Sequence, residues 1–199
     1  MGAMGWFASH RGQGRSYNNR SAIRAMHNQD TPSAWMQLHA ALVLPGMSLL
    51  DLACGQGRHA MFFATRGARV TAVDRDTAAL QKLAAIAGVT VECRDLEGDA
   101  WPYVASSFDA AVVCNYLWRS TFAALLATLK PGGVLLFETF MDGNERYGKP
   151  SRPDFLLRSN ELLALTRDEF RVIAYEEGIE LDAAGQPVAV KQKIAAIKR

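Results

Sequence analysis

No apolar run in this 199-residue sequence is long enough to span a bilayer, and its first residues lack the basic-then-apolar pattern of a secretory signal. A cytoplasmic protein is therefore expected. Cysteine is scarce: Cys54, Cys93 and Cys114 are odd in number and far apart, with no C-x-x-C pair and no Cys/His pair at zinc spacing. That pattern disfavours a disulfide framework and a zinc site, and buried reduced thiols are expected in preference to a reactive or metal-binding role. There is no internal repeat and no low-complexity block. Charged residues make up 21% and hydrophobic residues 49%, an ordinary globular balance for one domain.

The net charge of +2 is unevenly placed. Residues 1–29 hold Arg11, Arg15, Arg20 and Arg24 and no acid, which leaves 18 basic against 20 acidic residues in the remainder. A body with that balance carries no electrostatic footprint for DNA or RNA. Residues 1–31 are read as an arm or lid, and 32–199 as a single domain.

From Pro32 onward the pattern is regular. "SAWMQLHAAL" has helical spacing, with Ser33 as N-cap and Pro45–Gly46 as its end. "SLLDLA" reads as a buried strand, Arg58 to Thr65 as a helix stopped by Gly67, and "ARVTAVD" as a second strand. Asp76 or Thr77 caps a helix, "TAALQKLAAIA", that closes at Gly88. "VTVECRD", "SFDAAVVCNYL" and "GGVLLFETF" give three more strands, with the helix "STFAALLATL" before the last. This alternation predicts a doubly wound α/β fold, a mostly parallel Rossmann-like sheet of about seven strands with helices on both faces. The end breaks the rhythm: after the helical "NELLALT", "FRVIAYEEG" and "VAVKQKIAAI" flank the turn "DAAGQP" and predict an antiparallel hairpin.

The chemistry centres on "LLDLACGQGRHAMFF", Leu49–Phe63. Gly55, Gly57 and Ala60 fit the G-x-G-x-x-G/A spacing of a nucleotide-binding turn. In such sheets ligands bind beyond the carboxyl ends of the strands, where Asp51, Asp74, Asp95 and Asn115 are expected to gather. An acid at the mouth of the loop repels a diphosphate and attracts an ammonium or sulfonium, while Asp74 suits a ribose diol in either case. Taken singly, each acid also fits a strand-end cap facing water. The set favours a cationic nucleoside, S-adenosylmethionine.

These segments resemble the class I S-adenosylmethionine-dependent methyltransferases. "LLDLACGQGRHA" is similar to their first motif, and its "CGQGR" core to the tellurite-resistance-type small-molecule branch. "VTAVDRD", "RDLEG", "FDAAVVCNYL" and "LKPGGVLLFET" are similar to the later motifs, so the likeness runs from about Pro32 to the end. The resemblance implies that Asp51 and the backbone of Ala53, Gly55 and Gly57 hold the methionine end of the cofactor. It implies ribose contacts from Asp74 with Arg75 beside the adenine, adenine contacts from Asp95 and the Leu96 amide, and Asn115 and Tyr116 bordering the methyl group. Arg58 either pairs with the methionine carboxylate or faces solvent at a helix start. The family's lid motif is not recognisable; "SYNNR", Ser16–Arg20, is read as a degenerate remnant.

No catalytic triad is present, nor does methyl transfer need one: alignment, exclusion of water and, for some acceptors, removal of a proton suffice. The text after strand four, "CNYLWR", lacks the N-P-P-Y-type run of base and glutamine N-methylases and the Pro-Cys of C5-pyrimidine methylases. A small acceptor remains: a thiol, chalcogen oxyanion, carboxylate or amine. The acceptor candidates are Tyr116, Trp118, Arg119, Tyr147 and Arg152, the last two in the long loop Met141–Phe155. Arg119 and Arg152 together suit an anionic acceptor, with packing or solvent exposure as the alternative for each residue. "MDGNE", with Asp142, Asn144 and Glu145, is read as a polar turn in preference to a metal site. Three alternatives stay open: a non-catalytic cofactor-binding module, an RNA methylase supported only by the arginine-bearing arm, and a nicotinamide-dependent oxidoreductase supported by the loop spacing.

Overall fold

The computed structural model describes residues 31–199. The arm, apart from Thr31, and "SYNNR" lie outside the described residues.

Helix α1 (Ala34–Leu38) starts where Ser33 accepts the Met36 amide and runs into a 3-10 turn at Ala40–Leu42. Strand β1 (Ser48–Leu52) feeds the glycine loop and α2 (Arg58–Thr65); β2 (Arg69–Asp74) follows. Asp76 caps α3 (Thr77–Leu83) by accepting the amides of Ala78 and Ala79. β3 (Val89–Cys93), β4 (Phe108–Cys114), α4 (Phe122–Thr128), β5 (Leu129–Phe140), α5 (Glu161–Thr166), β6 (Phe170–Leu181) and β7 (Pro187–Lys198) complete the chain.

The seven strands lie in the order β3-β2-β1-β4-β5-β7-β6. β1 to β5 are parallel; β7 runs antiparallel to both β5 and β6. The strand order reverses between β1 and β4, which opens a crevice at their carboxyl ends. Each sheet face buries its own core. Leu49, Val70, Val112 and Leu136 pack under α1, α2 and α3 through Trp35, Met36, Phe63, Leu80 and Leu83. On the other face Leu50, Val113, Leu135 and Phe137 meet Phe122, Leu125 and Leu126 of α4 and Leu162 of α5.

Four local expectations are corrected. α3 ends at Leu83 rather than near Gly88, because beyond Leu83 no residue up to Gly88 is fully buried and the chain leaves in turns. β3 stops at Cys93, so Asp95 lies in the following loop. "LKPGG" is an outward excursion within β5: Phe108 pairs with Leu129 but Ala110 with Val134, so the extra residues are extruded. Finally, Cys93 is exposed because β3 is the sheet's outer strand, and Cys114 is half-buried; only Cys54 is a fully buried thiol.

Candidate active site

The two glycines of the loop serve different neighbours. Gly55 has φ +55 and open space where a side chain would project. Gly57 has φ +76, and a Cβ there would fall 2.3 Å from the Leu83 side chain. Gly57 therefore lets α3 pack against the loop, whereas Gly55 keeps the crevice side clear. Asp74 secures the loop: its Oδ2 accepts the Gly55 amide at 2.8 Å, and its Oδ1 accepts the Asp76 amide at 3.0 Å.

Asp51 sits inside β1 and is 1% exposed. Its Oδ2 has no hydrogen-bond partner among the described residues. Burial pushes its carboxyl up to about 7, and Asp74 adds to the rise against the Ala60 amide and the Arg58 guanidinium. An unsatisfied buried carboxylate oxygen under a backbone loop suits an ammonium donor.

Beside the loop, Ala53, Asp74, Arg75, Arg94, Asp95, Leu96, Glu97 and Tyr116 line one cleft of about 150 Å³. Six of these eight are expected site residues; Arg94 and Glu97 are additions, placed there by the turn that follows β3. Asp95 also organises that turn, its Oδ1 accepting the Glu97 amide at 3.0 Å. Tyr116, expected near the acceptor, joins this cleft. Its buried hydroxyl has no partner among the described residues, and burial, with Glu97 and Asp95, pushes it up to about 12. Asn115 adopts φ 57 at the end of β4, and its amide donates to the Glu138 carbonyl.

The acceptor candidates separate. Arg119 does not stand free for an anion: it donates to both carboxylate oxygens of Glu161, at 2.7 and 2.9 Å, and to the carbonyls of Asp154 and Leu156. It ties the loop after β5 to the start of α4. Arg152 is exposed, pairs with Asp154 and lies over the Phe155 ring. Tyr147 is exposed and Trp118 half-buried. Asn144 is buried, donating to Pro150 and accepting from Val190, so "MDGNE" is a turn with its amide turned inward. No group of three His, Cys, Asp or Glu poised for a metal occurs among the described residues.

Sequence reasoning missed a buried polar cluster behind Asp51. Glu138 of β5, 2% exposed, faces Lys191 of β7, Cys114 of β4 and Ser33. His59 accepts the Ser33 amide at Nε2, and burial, with Arg58, lowers its pKa to about 4. The signal was present as single charged residues inside the apolar strands "LLFETF" and "VAVKQKIAAI".

A glycine loop at the switch point, an acid beneath it and a sheet closed by an antiparallel β7 define the fold of the S-adenosylmethionine-dependent methyltransferases. Residues 49–133 match the family model described as "Methyltransferase domain". The fold is similar to TehB from Haemophilus influenzae (TM-score 0.70, 19% identity, 91% of this chain and 67% of that one). It is similar also to an S-adenosylmethionine-dependent methyltransferase from Mesorhizobium loti (TM-score 0.63, 21% identity, 83% and 99%). A third likeness is to 1,6-didemethyltoxoflavin-N1-methyltransferase from Burkholderia thailandensis, solved with 1,6-didemethyltoxoflavin and S-adenosylhomocysteine (TM-score 0.59, 22% identity, 90% and 84%). In sequence, 157 residues are 30% identical to "Hemagglutinin 1" of Eikenella corrodens, covering 71% of this chain. The chain spans about half the length of that relative.

Proposed function

We propose that the chain binds S-adenosylmethionine along the carboxyl edge of β1 to β4 and passes its methyl group to a small-molecule acceptor by in-line displacement. The observation that carries this reading is the Asp51 oxygen, without a partner among the described residues, beside a cleft lined by Asp74, Asp95 and Glu97. That set of acceptors fits a cationic nucleoside and opposes a diphosphate. Bound there, the cofactor supplies a methyl carbon already activated by its sulfonium.

The chain's own residues orient and desolvate. Asp51 accepts from the amino group at the methionine end, and the Gly55 backbone leaves room for it. Asp74 accepts from the ribose hydroxyls with the lone pairs that Gly55 and Asp76 leave free. Leu96, Arg75 and Tyr116 flank the base. Asn115 and Trp118 face the acceptor side, together with Tyr147 and Arg152 of the loop after β5. The acceptor is a thiol, chalcogen oxyanion, carboxylate or amine; the Burkholderia fold neighbour, solved with a small heterocycle, supports the small-molecule class.

The test is transfer of labelled methyl from S-adenosylmethionine to a panel of thiols, oxyanions, carboxylates and amines. Label appearing in at least one acceptor supports the enzyme. Tight cofactor binding with no transfer to any member favours the non-catalytic module.

A further inference from the structure

The cluster behind Asp51 buries charge inside the sheet: Glu138 is 2% exposed and Lys191 8%. A buried ion pair seldom stabilises more than apolar side chains of the same size, so its retention at a ligand edge points to a role there. Its members come from separate elements. Cys114 and Glu138 are register partners on β4 and β5, and Lys191 of β7 lies opposite Phe140, two residues beyond Glu138. The Lys191 ammonium is 3.4 Å from Glu138 Oε1. Burial pushes the Glu138 carboxyl up, but Lys191, Cys114, Ser33 and His59 outweigh it and hold the group below its ordinary value.

The hydrogen bonds through the thiol have a direction. Cys114 Sγ donates to Glu138 Oε1 at 3.0 Å, and Arg58 Nη2 donates to the same sulfur at 3.1 Å. Burial and the Glu138 charge both push the thiol pKa up, so it keeps the proton that it donates. An ionised acceptor on one side therefore turns the sulfur lone pairs toward the guanidinium on the other. Arg58 in turn is close enough to Asp51 to favour its ionised form.

We propose that Glu138 is a positioning residue: acting through Cys114, it holds the Arg58 guanidinium beside Asp51, where the amino-acid end of the cofactor binds. The inference rests on the reading of this edge as an S-adenosylmethionine site. Glu138 touches no reacting atom. It sets where the positive charge for the methionine carboxylate stands, next to the negative charge for the ammonium.

The test compares calorimetric affinities for S-adenosylhomocysteine, which has the amino-acid end, and 5′-methylthioadenosine, which lacks it. The wild type is expected to prefer the first. Glu138→Gln and Cys114→Ala are each expected to cut that preference by about tenfold while leaving 5′-methylthioadenosine affinity within about twofold. Cys114→Ser, which keeps both a donor and an acceptor, retains the preference. A general loss of structure weakens both ligands alike and leaves the ratio unchanged, so an unchanged ratio in Cys114→Ala overturns the proposal. If the wild type binds neither ligand, the cofactor reading itself fails, and the proposal with it.

Discussion

Asp74 and Gly55 are joined by a 2.8 Å hydrogen bond across 19 residues of chain, from the carboxylate at the end of β2 to an amide of the loop after β1. One side chain thus shapes the loop and lines the cleft. Asp74→Ala removes both roles and is expected to weaken S-adenosylmethionine binding by at least about tenfold, read by calorimetry. Asp74→Asn keeps one oxygen acceptor for the Gly55 amide and is expected to lose less.

The glycines give a contrasting pair. Gly57→Ala sets a Cβ 2.3 Å from Leu83 at φ +76, and α3 must shift; a loss of about 2–4 kcal/mol is expected in denaturant unfolding. Among the described residues, Gly55→Ala meets no atom within 4 Å beyond its chain neighbours, so its stability loss is expected near 1 kcal/mol, from backbone strain. Its main effect falls on cofactor affinity, because the new methyl group occupies the crevice.

Asp51 ties binding to pH. Its folded value of about 7 lies above the ordinary 3.8, so the stability it contributes is complete below about pH 4 and is lost as pH rises toward 7. A bound ammonium requires the ionised form, so binding releases a proton below pH 7. Affinity for S-adenosylhomocysteine is expected to rise by up to about tenfold per pH unit between pH 5 and 7 and then level off. Titrations in two buffers of different ionisation enthalpy count the proton. The dependence should vanish in Asp51→Asn.

Arg119 is expected to act on stability and not on the cofactor. Arg119→Ala takes the guanidinium from Glu161, which keeps the Arg158 amide, and from two loop carbonyls, and should cost about 1–2 kcal/mol while cofactor affinity stays within twofold. Arg119→Lys is not expected to restore it, because one ammonium cannot reproduce the two-oxygen grip on Glu161 and both carbonyl contacts.

At the opposite end of the sheet, Asp109 accepts from the Ser48 amide and hydroxyl and from Lys130 at 2.7–2.8 Å. The Lys130 contact, with Ser48, lowers its pKa to about 2. The stability it supplies is present above about pH 4 and is lost as pH falls through 2, the reverse of Asp51. Asp109→Asn should flatten that acid limb in a pH series of urea unfolding curves.

Much of this was legible in the sequence. The start of α2 after Gly57, the Asp76 cap and the closing hairpin all follow from period, turn chemistry and capping residues. The cleft's Asp74 is legible because strand ends in a parallel sheet share one edge; Ala53, Arg75 and Leu96 are legible only through the family resemblance. Distances that depend on which way a side chain turns are not. Arg119 looked like an anion ligand from its place after β4, yet Glu161, 42 residues later, claims it. Tyr116 lines the same cleft as Glu97, a neighbour 19 residues back in the chain. The Glu138 cluster needed the register of β4, β5 and β7, which no local pattern encodes.

The acids along this edge favour a cationic nucleoside over a dinucleotide. Calorimetric titration of the full chain with S-adenosylmethionine, S-adenosylhomocysteine and NAD under one set of conditions tests this. Binding of the first two, and none of NAD, is the predicted result. Binding of NAD alone would contradict it, and would mean that the buried Asp51 does not govern what the glycine loop accepts.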